Sequence, residues 1–439
     1  MSVDIRDSAG VVPLRPAIRI EPSNGGPVLP DADPFYQPPH DLAELAPGTI
    51  IRARRVELGL LGLIPQRVSA WQLLYRTNDV HGEPEAVVTT VVQPADADPS
   101  APKRLVSYQC AIDVVVARGL PSYCLRQGSN AFGSFPQFEM VIFANALACG
   151  WTLSIPDHVG SDGHFGVPRE PGYRILDGIR AARSFDPLHL GAETPVALWG
   201  YSGGGLATTW ACEMAADYAP ELEIVGASAG SPVGNPQSVF ARLNGSVYSG
   251  LIPLVLSALC RAYPDLDKAV RANFDRPFLD LMAHAESSTI FPILFRSIGR
   301  NVDDHSEVGV AELLRDPQFS AIFEELRPVT TAPTFPMLVV QATNDSVVAV
   351  EDMHEQVWRY RQVGTPVQYI RDRLSGHVSL ALIATPLVVD WLAARFDDRP
   401  LDPAGPRTVW SLALSPDSFP GYRRLLGVVA RVLTGRSLR

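Results

Sequence analysis

At 439 residues, 46% of them apolar and only 19% charged, the chain can bury a sizeable core, which excludes wholesale disorder. A formal net charge of −10, with no strongly basic segment to offset it, argues against nucleic acid as a partner. The five cysteines are an odd set without metal-ligand spacing; Cys149 and Cys212 read as buried thiols, and pairing of Cys110 with Cys124 stays open.

The first forty residues are polar and Pro-rich, with no apolar run of roughly 7–15 residues behind a basic start, so no secretory leader is visible. The densest apolar stretch, residues 251–259, is about half the ~20 residues that a bilayer span needs. Taken literally, this describes a soluble, cytoplasmic chain. Secretion or a cell-envelope location is the alternative if the start codon is misassigned.

Residues 1–45 read as a flexible arm ending in an extended strap, Asp33-Pro34-Phe35-Tyr36-Gln37-Pro38-Pro39, that packs aromatics onto the domain. Residues 50–56, 69–75 and 86–93 read as strands, the last two flanking a hairpin turn at Thr77-Asn78-Asp79-Val80-His81-Gly82. Further strands are expected at 104–110, 151–156, 196–199 and 224–229, alternating with helices at 138–149, 172–184 and 206–218. Such alternation predicts an α/β fold with a mostly parallel sheet, its first part spanning residues 46–230. From 231 to 333 the pattern changes to helical pieces broken by Pro253, Pro264, Pro277 and Pro292, as expected of an inserted cap. Strands at 337–340 and 367–370, with helices at 352–361 and 379–396, return to the core within residues 334–400. Within the tail, 401–439, the stretch from Tyr422 to Arg439 is basic and amphipathic and suits transient contact with a lipid surface or, more simply, a helix docked on the domain.

The stretch that organises these elements is Val196-Ala197-Leu198-Trp199-Gly200-Tyr201-Ser202-Gly203-Gly204. An apolar strand, a Gly-x-Ser-x-Gly turn and a helix in succession make a nucleophile elbow. The alternative is a serine in a flexible glycine loop. A serine hydroxyl is a poor nucleophile until a histidine takes its proton and a carboxylate orients that histidine. In this fold class the acid and the base follow the serine, each beyond a strand's carboxyl end. Asp345 and His377 occupy those positions, whereas His158 and His164 precede Ser202, and His354 falls within a helix. Asn344-Asp345-Ser346 also matches a glycosylation acceptor, but a glycan there would obstruct the trio. Gly203, at the helix start, would offer its N–H to a developing oxyanion.

With these in place the sequence resembles the secretory-lipase family. The resemblance rests on Ile175-Leu176-Asp177-Gly178-Ile179-Arg180, Gly200-Tyr201-Ser202-Gly203-Gly204, Tyr218-Ala219-Pro220-Glu221-Leu222, Ile224-Val225-Gly226-Ala227-Ser228 and Arg242-Leu243-Asn244-Gly245. It runs from about residue 33 to about 396. It implies an α/β-hydrolase fold with a helical cap, acting on carboxylic esters including acylglycerols, without metal or organic cofactor. It also implies that Asp113 joins Gly203 in the oxyanion hole, a helix N-cap being the alternative role for Asp113. The family often has a cysteine two residues before Pro121-Ser122-Tyr123; Gly119 stands there, so a disulfide bracing the cap is not expected.

These readings predict a serine carboxylester hydrolase, a triacylglycerol lipase of lipid catabolism, taking a small or lipid ester through an acyl-enzyme on Ser202. An esterase for short or bulky esters, or an acyltransferase, is the alternative within enzymes; a non-catalytic binding scaffold is the one outside them. Leu254 and Phe295 stand as trial members of an acyl-pocket lining. Oligomeric state is open.

Overall fold

The computed structural model of the chain describes residues 20–21, 26–98, 100–328, 331–402, 405–414 and 418–438. Most of the expected N-terminal arm, residues 1–19 and 22–25, lies outside them. The β-rich start builds one long hairpin, Val68–Asn78 against Pro84–Pro94, antiparallel over its whole length. Asp79 closes its turn by accepting the N–H groups of His81 and Glu83.

Among the described residues the main sheet has eleven strands. Every pairing from Thr152–Pro156 through Leu105–Gln109, Val196–Tyr201, Ile224–Gly230, Met337–Ala342 and Val367–Asp372 to Arg407–Val409 is parallel. The strand after Leu105–Gln109 lies on one side and the strand after Val196–Tyr201 on the other. The chain therefore opens a crevice beyond the carboxyl ends of these two neighbours, where ligands of such sheets bind.

Side-chain alternation divides the core between the two faces of the sheet. Leu198 faces one way, with Leu73, Ile175, Ile179 and Cys212; Ala197 and Trp199 face the other, with Tyr108, Phe143 and Leu392. Between Ile224–Gly230 and Met337–Ala342, the region expected as an inserted cap, the described elements are all helical. The C-terminal helix, Phe419–Thr434, buries Leu425, Val428 and Val432 against Phe135–Ala148 and Thr385–Phe396. Its tail thus docks on the domain.

Several expectations are corrected. The strap is not extended throughout: it is interrupted by one tight 3-10 turn, Pro34–Tyr36, where Asp33 accepts the Phe35 N–H and pairs with Arg54 at 2.6 Å. The guanidinium of Arg54 lies 4.0 Å from the centre of the buried Phe35 ring. The helix expected over 379–396 is two, His377–Ile383 and Thr385–Phe396, bent by 50°. Pro386 has no N–H to continue the first helix, and its ring would clash with the carbonyl four residues back. All five cysteines are free, so Cys110 and Cys124 do not pair. Gly119 has no room for a larger residue, since a Cβ there would lie 2.1 Å from a Val114 methyl.

Candidate active site

The strand Val196–Tyr201 is wholly buried, and the helix Gly203–Tyr218 starts one residue after Ser202. Turning that tightly puts Ser202 at φ 54°, ψ −120°, a conformation that L-residues avoid. The flanking glycines are required by contact. A Cβ on Gly200 would sit 2.2 Å from the Gly204 carbonyl oxygen, and one on Gly204 would sit 2.0 Å from that of Gln109. The elbow therefore lies against the end of the neighbouring strand, Leu105–Gln109.

Ser202 Oγ is 2.7 Å from His377 Nε2, and His377 Nδ1 is 2.8 Å from Asp345 Oδ2. A carboxylate only accepts, so Nδ1 carries the proton and Nε2 is free to accept the serine hydroxyl. His377 opens its helix after a turn in which Asp372 accepts the N–H groups of Leu374 and Ser375. Burial alone would raise the Asp345 carboxyl. His377 and the N–H groups of Val347 and Val348 outweigh it and hold Asp345 below the usual carboxylate range. Gln341 donates to Asp345 Oδ2 as well, and Arg242 to its backbone carbonyl.

Asp113 follows the strand Leu105–Gln109, next to the elbow. Its Oδ1 lies so near Gly203 that a Cβ there would be 2.7 Å away. The N-cap alternative does not hold, because the next helical turn, Ala117–Gly119, is capped by Val116. Burial pushes the Asp113 carboxyl up to about 6, against the opposing pull of His377. Its Oδ1 is buried without a hydrogen-bond partner among the described residues. All five residues named from the sequence thus converge at one end of the crevice.

Sequence reasoning missed three neighbours. Tyr201, inside the elbow motif itself, donates to the His377 carbonyl at 2.6 Å and bonds Ser231. His158, set aside for its position in the chain, is 2.8 Å from the Cys110 carbonyl through Nε2. A carbonyl accepts, so Nε2 carries the proton; burial pushes this ring down to about 4 and keeps it neutral. Glu139 accepts the Ala111 N–H. Its one visible signal was a lone carboxyl in an apolar helix.

Ser202, His377 and Asp113 lie on a cavity of about 660 Å³ walled by apolar side chains, among them Phe135, Ile142, Leu251, Leu294 and Ile383. The cap contributes Tyr248, Leu251 and Leu294 to this wall. Neither trial residue does. Leu254 is 0% exposed and clusters with Val115, Ala258, Ala285 and Ile293, whereas Phe295 is 76% exposed. On a helix, neighbours in sequence point about 100° apart, so Leu294 and Phe295 cannot share a face. Among the described residues no three His, Cys, Asp or Glu side chains gather as a metal-ligand set.

Comparison with known proteins matches residues 125–403 to the secretory lipase family model. A probable inactive lipase of Mycobacterium tuberculosis is 43% identical over 94% of this chain and 92% of its own. A secreted triacylglycerol lipase of Malassezia globosa is 34% identical over 82% and 79%. The structure of Candida antarctica lipase A superposes with a TM-score of 0.81 at 25% identity, covering 93% of this chain and 95% of that one. The cytoplasmic placement expected from the sequence gains no support from these similarities. By family model, by sequence and by fold, the chain belongs to the secretory lipase family.

Proposed function

We propose that the protein is a serine carboxylester hydrolase that cleaves acylglycerols, a triacylglycerol lipase of lipid catabolism. The observation that carries this reading is the continuous hydrogen-bonded chain Ser202–His377–Asp345 opening onto an apolar cavity. Ser202 Oγ attacks the ester carbonyl carbon while its proton passes to His377 Nε2. The oxyanion is held by the Gly203 N–H and by Asp113, whose neutral carboxyl donates to it. Collapse breaks the bond to the alcohol, which leaves with the proton from His377. Water, deprotonated by the same imidazole, then releases the acid. Asp345 stays ionised throughout and stabilises the imidazolium. An acyl chain lies in the cavity, where mostly apolar walls with few polar groups suit it. The secreted Malassezia relative supports action outside the cell rather than in the cytoplasm.

The test is a fluorophosphonate probe with a chain-length series of p-nitrophenyl esters. Covalent labelling at Ser202 and faster turnover of medium or long acyl esters than of acetate are expected. Turnover of acetate alone would reduce the reading to a plain esterase. A second reading, a non-catalytic hydrolase-fold binding protein, is favoured by the name of the Mycobacterium tuberculosis relative. Absence of both labelling and turnover would establish it.

A further inference from the structure

Glu139 lies in the helix Phe135–Ala148, whose Phe138, Val141 and Ile142 line the same cavity. A carboxyl buried among such neighbours is unfavourable unless its oxygens find partners. Both do. Oε2 accepts the Ala111 backbone N–H at 2.9 Å, and Oε1 is hydrogen-bonded to the Tyr108 hydroxyl at 3.2 Å. Ala111 belongs to the four residues Cys110-Ala111-Ile112-Asp113 that leave the sheet without helix or strand structure of their own. Ladder hydrogen bonds do not position that segment. His158 holds it by the Cys110 carbonyl, and Glu139 by the next amide along.

We propose that Glu139 is a positioning residue for the oxyanion hole, holding the Ala111 amide so that residue 113 stays against Gly203. This rests on the hydrolase reading. Glu139 acts through the backbone, since its oxygens are engaged by Ala111 and Tyr108. The groups facing it are Tyr108, Cys110 and Asp113. Burial, with Asp113 adding to it, pushes the Glu139 carboxyl up to about 8. In the uncharged acid the proton sits on Oε1, which then donates to the Tyr108 oxygen and leaves Oε2 to accept the Ala111 N–H; without a negative charge the group does not oppose the developing oxyanion. The geometry accounts for a carboxyl on an otherwise apolar wall.

The test compares Glu139→Gln, Glu139→Ala and Glu139→Leu on p-nitrophenyl esters. Gln keeps an oxygen for the Ala111 N–H, so its kcat should stay within about 3-fold of wild type. Ala and Leu should lower kcat roughly 10–100-fold with KM little changed, a displaced donor costing less than a deleted one. Leu retains packing volume and covers the case in which Ala fails to fold. Because the effect runs through residue 113, Glu139→Leu should cost less than about 3-fold further in an Asp113→Ala background. Additive losses, a Gln variant no better than Leu, or KM moving in step with kcat would overturn the proposal. A wild type that neither labels nor turns over would instead overturn the hydrolase reading and take this inference with it.

Discussion

Ser202 carries both the proposed chemistry and backbone strain. A residue at φ 54°, ψ −120° costs about 1–3 kcal/mol, which surrounding packing has to offset. Ser202→Ala keeps that strain and should lose on the order of 10⁶ in kcat while remaining folded. Ser202→Gly should be equally inactive yet more stable than Ser202→Ala in urea, by about 1 kcal/mol, because glycine accepts the angle. Equal midpoints for the two variants would show that the elbow is not strained. Asp113 makes a second, separable case. Pushed up to about 6 by burial, its carboxyl can donate to an oxyanion only while protonated and loses that ability as pH rises through that value. Wild type should therefore decline in kcat/KM above about pH 6, and Asp113→Asn should retain activity without that decline. Asp113→Ala should lose roughly 10²–10³-fold. If Ala is as active as wild type, the side chain takes no part and only the backbone N–H remains.

Among the elements, the short cap helix Ile290–Ser297 shows how a single turn separates roles. Ile293 is buried, Leu294 lines the cavity and Phe295 faces solvent. Enlarging Leu251 or Leu294 to Trp should shorten the preferred acyl chain while the rate on acetyl esters stays within a few-fold. Phe295→Ala should leave the preference unchanged. Measured kcat/KM across acyl lengths checks both, and a Leu294→Trp enzyme with unaltered selectivity would exclude the cap from the acyl site. The break at Ala384, before Thr385-Pro386, matters for the same cavity. The bend lets Ala381 and Ile383 of the first helix reach the wall while the second packs on the sheet through Val388, Val389 and Leu392.

Over the whole molecule, several buried carboxyls have raised values for the same first reason, burial: Asp113 to about 6, Asp157 to about 7 and Glu139 to about 8, with Glu85 and Asp177 raised as well. Each binds its proton more tightly when folded than in the unfolded chain, where carboxyls titrate near 4. Their contribution to stability is full below about pH 4 and is lost as pH climbs toward 8. Asp345 and Glu170 are lowered and act oppositely, losing their contribution as pH falls below the unfolded carboxylate range. The urea midpoint should therefore be highest at mildly acidic pH and fall toward pH 8. Asp157→Asn and Glu139→Gln should each flatten the alkaline side. A midpoint that rises steadily from pH 5 to 9 would contradict this assignment.

Chain-local chemistry was enough for the elbow, for the order Ser202, Asp345, His377 and for the alternating α/β frame. Glycine contact, strand–turn–helix succession and apolar periodicity are properties of consecutive residues. The family likeness added Asp113, which no local pattern distinguishes from a cap. Tertiary structure alone decided the rest. His158 and Glu139 gained their partners only because Thr152–Pro156 and Phe135–Ala148 pack beside the end of Leu105–Gln109. The cavity wall likewise mixes residues from the first helices, the cap, the His377–Ile383 helix and, through Leu433, the docked tail. Which face of each helix meets that space depends on how elements far apart in sequence cross, and helical periodicity carries no record of it.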